Sequence, residues 1–221
     1  MTCMLLLASG SPRRRELMEL TGWDVEICPV PVDEMVHTDE RAEAVAIRLA
    51  RAKAQAAAAE CPACELVLAA DTVVADGDTI LGKPVDASDA ERMLLMLRDR
   101  EHEVITALVF LHPVTGVEVV ETCKTDVPMR AYDCEALQTY ISGGSPLDKA
   151  GAYGIQDREF SPVALGQLQG CFANVMGLPL CHLQRALRRL GHDLGVDLPS
   201  RCIAYTEYDC SVYQEILRGK L

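Results

Sequence analysis

Ser9-Gly-Ser-Pro-Arg-Arg-Arg15 sets three arginines directly behind a turn of small residues. A short strand, such a turn and a helix start aim backbone N–H groups at one spot, an arrangement suited to phosphate. Cations in the first turn of a helix oppose its dipole by about 0.3–1 kcal/mol each. A bound anion reverses that sign, so the turn and the run of Arg13 to Arg15 point to phosphate binding. The alternative is that the arginines are solvated, or pair with Glu16 and Glu19.

Ala69-Ala-Asp-Thr72 closes an apolar run with a carboxylate. An acid there is either buried at a cost or faces a cleft where it is used. Phosphoryl chemistry needs such a group to hold Mg²⁺ or to orient water. Asp71 is therefore a candidate, against the plainer reading that it caps a turn, and Glu34 is a candidate second carboxylate. Lys53, at the edge of a helical apolar stripe, either snorkels to solvent or reaches a cleft. Lys83 sits in a Gly-Lys-Pro turn, and Lys149 lies in a long loop ahead of Gln156. Taken singly, each is most often a surface lysine. The chain has no P-loop pattern, and its five histidines show neither metal-ligand spacing nor a Ser-His-Asp grouping.

The balance of the whole chain sharpens the question. It carries 33 acidic and 21 basic residues among 221, a formal net charge of −12, which disfavours nucleic acid and anionic membranes as partners. Any anionic substrate must be held by a local cationic cluster. Hydrophobic residues at 49% and charged residues at 24% allow a folded core, and no apolar run approaches the roughly 20 residues of a membrane span. The N-terminus has its apolar run before its arginines, the reverse of a secretory signal, so a cytoplasmic protein is expected. Ten cysteines then read mainly as small buried thiols, Cys3, Cys123, Cys171 and Cys181 among them. A zinc site from Cys61, Cys64, Cys202 and Cys210 lacks a standard spacing, and the plainer reading is preferred.

The elements that must position these residues follow from periodicity and turn signals. Met4 to Ala8 reads as a buried strand, and Ser11-Pro12 starts a helix that Gly22 ends. A second strand is expected over residues 23 to 30. Thr38 or Asp39 opens a long alanine-rich helix to about Ala59, with Ala42, Val45, Leu49, Ala52 and Ala56 on one face. A strand from Leu66 turns at Asp76-Gly-Asp78 into Ile80-Leu81. Ser88 caps a helix to about Leu97, strands follow over 102 to 111 and 117 to 127, and Asp133 caps another helix. Residues 145 to 161 form a long loop, a feature usually tied to function. A strand over 162 to 169 and a helix over 179 to 190 close the domain. The class is α/β with a mixed sheet. Residues 1–191 are expected to form the catalytic domain and residues 192–221 a C-terminal extension.

Seven stretches together resemble the Maf family of nucleotide pyrophosphatases. They are Leu7-Ala-Ser-Gly-Ser-Pro-Arg-Arg14, Val32-Asp-Glu34, Ala70-Asp-Thr-Val73, Leu81-Gly-Lys-Pro84, His102-Glu-Val-Ile-Thr106, Pro146-Leu-Asp-Lys-Ala-Gly-Ala-Tyr-Gly-Ile-Gln156 and Asn174-Val-Met-Gly-Leu-Pro179. The resemblance implies an elongated mixed β-sheet flanked by helices, two lobes around a central cleft as in inosine triphosphate pyrophosphatases, and a homodimer. It implies hydrolysis of a nucleoside triphosphate to the monophosphate and pyrophosphate, with a divalent cation, Mg²⁺ or Mn²⁺, held by Glu34 and Asp71. Asp71 would accept the proton of the attacking water. Ser9, Arg13, Arg14, Lys53 and Lys83 match the family's phosphate site, which Lys149 joins. Arg13, Thr72 and Gln156 match the subgroup acting on dTTP and UTP. Other readings are the same chemistry on a modified or different nucleotide, or a nucleotide-binding regulator of cell division. This chain departs from the family at Asp157, where glycine is common, and at Cys171, where serine is common.

Overall fold

A computed structural model describes residues 5–220; Cys3 and the Met4 start of the expected first strand lie outside them. Its centre is a six-stranded mixed sheet in the order β2-β1-β3-β5-β6, with β4 paired to β3 off that path. The strands are β1 (Leu5–Leu7), β2 (Glu26–Ile27), β3 (Leu66–Asp76), β4 (Thr79–Leu81), β5 (Glu101–Leu111) and β6 (Glu118–Pro128). β1 runs parallel to both β2 and β3, whereas β3 is antiparallel to β4 and β5, and β5 to β6.

Alternation along the strands sends side chains to two separate cores. Val67, Ala69 and Val73 of β3, with Ile105, Ala107 and Val109 of β5, face a 19-residue helix, α2 (Ala42–Glu60). Leu66, Leu68, Ala70 and Val74, with Val104, Leu108 and Phe110, face the opposite side. There they meet α1 (Pro12–Glu19), α3 (Ala87–Leu97), α4 (Cys134–Ser142), α5 (Phe172–Met176) and α6 (Leu180–Arg189). Asp71 and Thr72 are neighbours in β3, so the first points toward α2 and the second toward the larger core.

A gap on one edge of β3 lets both reach the same cleft. β1 pairs with β3 only over Leu66–Leu68, and β4 only over Val74–Asp76. Between them, residues 69 to 73 have no ladder partner on that edge. The cleft opens there, beyond the carboxyl end of the parallel strand β1, where ligands of open α/β sheets characteristically bind.

Several local expectations are corrected. Helix α2 begins at Ala42, not at Thr38 or Asp39, because Asp39 has a φ of 64°, in the left-handed region that no α-helix continues through. Its buried face comprises Val45, Ala46, Leu49, Ala50, Ala54 and Ala57, rotated from the expected stripe, with Ala52 and Ala56 only half-buried. Asp86, not Ser88, caps α3, accepting from the Asp89 amide at 2.8 Å. Asp133 caps α4 as expected. The second strand shrinks to two residues. No strand spans 162 to 169: a single bridge joins Met129 to Val163, and Leu165–Gln167 makes a 3₁₀ turn. Pro162 brings no amide to a ladder and Gly166 favours the turn.

Residues 192–220 fold back onto the body. Helices α7 (Leu198–Thr206) and α8 (Tyr213–Leu217) pack on α6, and Leu194 and Leu198 join the larger core. Tyr208 donates to the Leu168 carbonyl at 2.6 Å, and Arg185 of α6 to that of Ile216 at 2.8 Å. Cys202 and Cys210 border a small apolar pocket with Cys171 and Cys181, whereas Cys61 and Cys64 form a disulfide with each other in the core on the α2 side of the sheet. The four cysteines considered for zinc are thus not one group. Among the described residues no helix is long and apolar enough to cross a membrane.

The fully buried alanines of α2 let its axis lie close on the sheet, and that approach sets the reach of Lys53. Ala50→Leu should overpack this contact and cost about 1–3 kcal/mol, read as a lower urea midpoint at unchanged slope; an unchanged midpoint would refute the tight approach.

Candidate active site

Ten of the residues singled out from the sequence line one cleft of about 450 Å³: Ser9, Arg13, Arg14, Glu34, Lys53, Asp71, Thr72, Lys83, Lys149 and Gln156. A volume of this size is ordinary for a small-molecule site. Five cations and three carboxylates, Glu34, Asp71 and Asp148, border it, a surplus of two positive charges within a chain of net charge −12.

Lys53 reaches from α2 across the gap in the sheet edge. Its ammonium lies 2.6 Å from Asp71 Oδ1 and 2.6 Å from Glu34 Oε1. Asp71 is buried, at 7% exposure, and this desolvation raises its pKa above the ordinary carboxylate value; Lys53 and Arg14 oppose the rise, and Glu34 adds to it. The more exposed Glu34 moves the other way, held below its ordinary value chiefly by its hydrogen bond to Lys53. Two neighbouring acids are thereby given different proton affinities, the pattern that separates a proton acceptor from a spectator.

Arg14 crosses to the opposite wall. Its Nε donates to the Gly177 carbonyl at 2.9 Å, one terminal nitrogen to Ser9 Oγ at 3.2 Å and the other to Thr72 Oγ1 at 3.0 Å. Burial lowers its pKa, with the Asp71 charge opposing that shift. Ser11 stands at the cap position of α1, but its side chain makes no cap bond; its own amide donates to Ser9 Oγ at 3.3 Å. The first amides of α1 are therefore left without a side-chain cap on the cleft side. Arg13 pairs with the exposed Asp148 at 3.1 Å, while Arg15 is exposed and does not line the cleft.

The lysines differ in what they have left to offer. Lys83 makes no hydrogen bond or ion pair among the described residues, and its charge helps to lower the Glu34 pKa. Lys149 is buried, with its ammonium on the Ser145 carbonyl and hydroxyl and on Asp148. It serves the loop that forms the cleft wall as much as the cleft itself.

A family model described as Maf-like protein matches residues 4–190. The chain belongs to the Maf family. A dTTP/UTP pyrophosphatase of Agathobacter rectalis is 40% identical over 205 residues, covering 86% of this chain and 98% of that protein. One from an Anaeromyxobacter species is 45% identical over 202 residues, covering 90% and 95%. The solved nucleoside-triphosphatase/dITP/XTP pyrophosphatase of Mycobacterium abscessus is 20% identical, with a TM-score of 0.41 over 85% of this chain and 94% of that one.

Positioning residues of this Maf-family site escaped the sequence reading. Thr106 Oγ1 lies 2.9 Å from Thr72 Oγ1 and donates to the Asn174 carbonyl at 3.1 Å. Fully buried Asn174 donates to the Val104 carbonyl and Thr125 Oγ1, fixing α5 to the sheet. Both residues lie in the matched stretches, but nothing in their types announced a role; only burial of their polar atoms does. Gly177, at the end of α5, has a φ of 106°, and a Cβ there would lie 3.2 Å from Thr72 Oγ1 and 3.4 Å from Arg14 Nε.

The donor set suits a hard divalent cation. Glu34 and Asp71 offer carboxylate oxygens that already converge on one positive charge, and Mg²⁺ commonly takes one or two carboxylates plus substrate phosphates. Among the described residues no three His, Cys, Asp or Glu side chains form a metal cluster, so substrate oxygens and water would complete the shell.

Gly177→Ala places a side chain against Arg14 in a backbone region L-residues rarely adopt. It should lower stability by about 1–3 kcal/mol, measured by thermal or urea unfolding; wild-type stability would show that the turn is not strained by a Cβ.

Proposed function

We propose that this chain hydrolyses dTTP and UTP between the α- and β-phosphates, releasing the nucleoside monophosphate and pyrophosphate. The observation that carries the reading is Asp71: a buried carboxylate of raised proton affinity, paired to Lys53, inside a cationic cleft built from the sequence-derived residues. The names of the relatives support the substrate assignment.

The roles follow from the geometry. The triphosphate enters the cationic wall, where the Ser9 hydroxyl, Arg13, Arg14 and Lys83 hold its oxygens and balance charge as pyrophosphate departs. Water on the Asp71 side attacks the α-phosphorus, and Asp71 accepts its proton while Lys53 keeps the carboxylate oriented. Glu34 and Asp71 would hold a Mg²⁺ or Mn²⁺ ion, which when bound supplies charge neutralisation at the phosphates. Thr72 and Gln156, with Arg13, lie where base selection is expected. We extend the proposal to a cytoplasmic homodimer in which residues 1–191 carry the reaction and residues 192–221 brace α6; light scattering measures the pairing.

Asp71→Asn should lower kcat by about 10²–10⁴-fold with little change in nucleotide binding. Product analysis should show pyrophosphate; orthophosphate as the sole inorganic product would overturn the reading. Asp71 must be ionised to accept a proton, so kcat/KM falls as pH drops through its raised pKa. Lys53 lowers that pKa, and Lys53→Met should move this acidic limb to higher pH. A pH–rate profile with the limb unmoved would remove Asp71 as the proton acceptor.

A further inference from the structure

Behind Gln156, outside the cleft lining, sits Asp157. Its carboxylate is a hub. Oδ2 accepts from Tyr140 Oη at 2.5 Å and Ser145 Oγ at 3.1 Å, and lies 3.6 Å from Lys149 Nζ. Oδ1 accepts from Gln156 Nε2 at 3.2 Å. The Asp157 amide donates to the Gly154 carbonyl at 3.1 Å, and the Gly154 amide to Tyr140 Oη at 3.2 Å. A Cβ on Gly154 would come within 2.7 Å of Gln156 Nε2 and 2.8 Å of Asp157 Cγ and Oδ1. The absence of a side chain at Gly154 is what lets amide and carboxylate meet there.

This matters because a glutamine amide has nearly the same shape either way round. Turned one way it offers a donor then an acceptor; rotated by half a turn it offers the reverse. An ionised carboxylate only accepts, so Asp157 can face only the NH₂ end. Oε1 of Gln156 has no hydrogen-bond partner among the described residues, and Gln156 lines the cleft. Uracil and thymine present O4, an acceptor, beside N3–H, a donor. Cytosine presents the opposite at both positions, an N4 donor beside an N3 acceptor. A freely turning amide suits either pattern, whereas a pinned amide pairs with one and meets donor with donor and acceptor with acceptor in the other.

We infer that Asp157 is a positioning residue for base selection: it locks the Gln156 amide so that the cleft accepts a uracil or thymine edge and rejects cytosine. The inference rests on the proposed hydrolysis of dTTP and UTP. Buried polar groups left unpaired are what make such a rejection strong.

The test is kcat/KM for UTP and CTP on the full-length wild type, Asp157→Asn, Gln156→Ala and the double variant, with melting temperatures alongside. Asparagine keeps the size of aspartate but can present either a donor or an acceptor, which frees the amide to turn. Asp157→Asn should reduce the UTP:CTP ratio by about tenfold or more, chiefly through a gain on CTP. In the Gln156→Ala background, where overall activity is already reduced, the same change should leave the ratio unaltered. An unchanged ratio in Asp157→Asn, or equal losses on both nucleotides with a lowered melting temperature, overturns the inference and leaves Asp157 as a loop brace. A wild type inactive on UTP and dTTP would instead sink the underlying functional reading, so the two failures are distinguishable.

Discussion

The ammonium of Lys53, set between the carboxylates of Glu34 and Asp71, is the contact on which the cleft depends. A carboxylate as buried as Asp71 is costly unless a charge compensates it, and removing one partner of such a pair typically costs several kcal/mol. The pairing is only partial compensation: burial still leaves Asp71 with a raised proton affinity. That balance leaves a carboxylate that is charge-compensated yet more basic than an exposed one.

Two features of the fold make this contact possible. The alanines of α2 bring the helix close to the sheet, so a lysine on its edge spans the remaining distance. The interrupted edge of β3 exposes successive residues with opposite facing, giving Asp71 to Lys53 and Thr72 to Arg14. One strand thereby serves both walls. Arg14 is in turn fixed by a glycine carbonyl at the end of α5, which Thr106 and Asn174 pin to the sheet. Under the proposed function this wall is held in place by its own hydrogen bonds, which lowers the ordering entropy that ligand binding would cost.

The loop from Ser145 to Ser161 contributes a different kind of order. Its short turns are held by side chains: Lys149 on Ser145 and Asp148, Asp157 on Tyr140 and Ser145, and Tyr153 Oη within 2.7 Å of His102 Nε2 on β5. Burial lowers the His102 pKa to about 4, so the imidazole stays neutral at this contact near neutral pH. Polar groups used this way exchange freedom for specificity, as the proposed base selection requires.

Much of this protein was legible from residue types and spacing. Two of the three arginines after a small-residue turn, the acid at the end of an apolar strand and the isolated lysines came to one cleft, because their charges stand out against an acidic background and their neighbours encode strand or helix. Helix boundaries were less legible where a single backbone angle decided them, as at Asp39, and the strand over 162 to 169 failed because its alternation carried no register partner. The positioning roles of Thr106, Asn174 and Gly177 were invisible, and Asp157 stood out only as a departure from the family pattern. Each depends on which atom lies opposite, a relation between residues distant in the chain or packed around a turn. Residue type and periodicity determined which elements form and which side chains carry charge. Only the packed structure decided which carboxylate is buried, which lysine is left free and which way an amide faces, because desolvation and hydrogen-bond direction exist only once the surfaces have met.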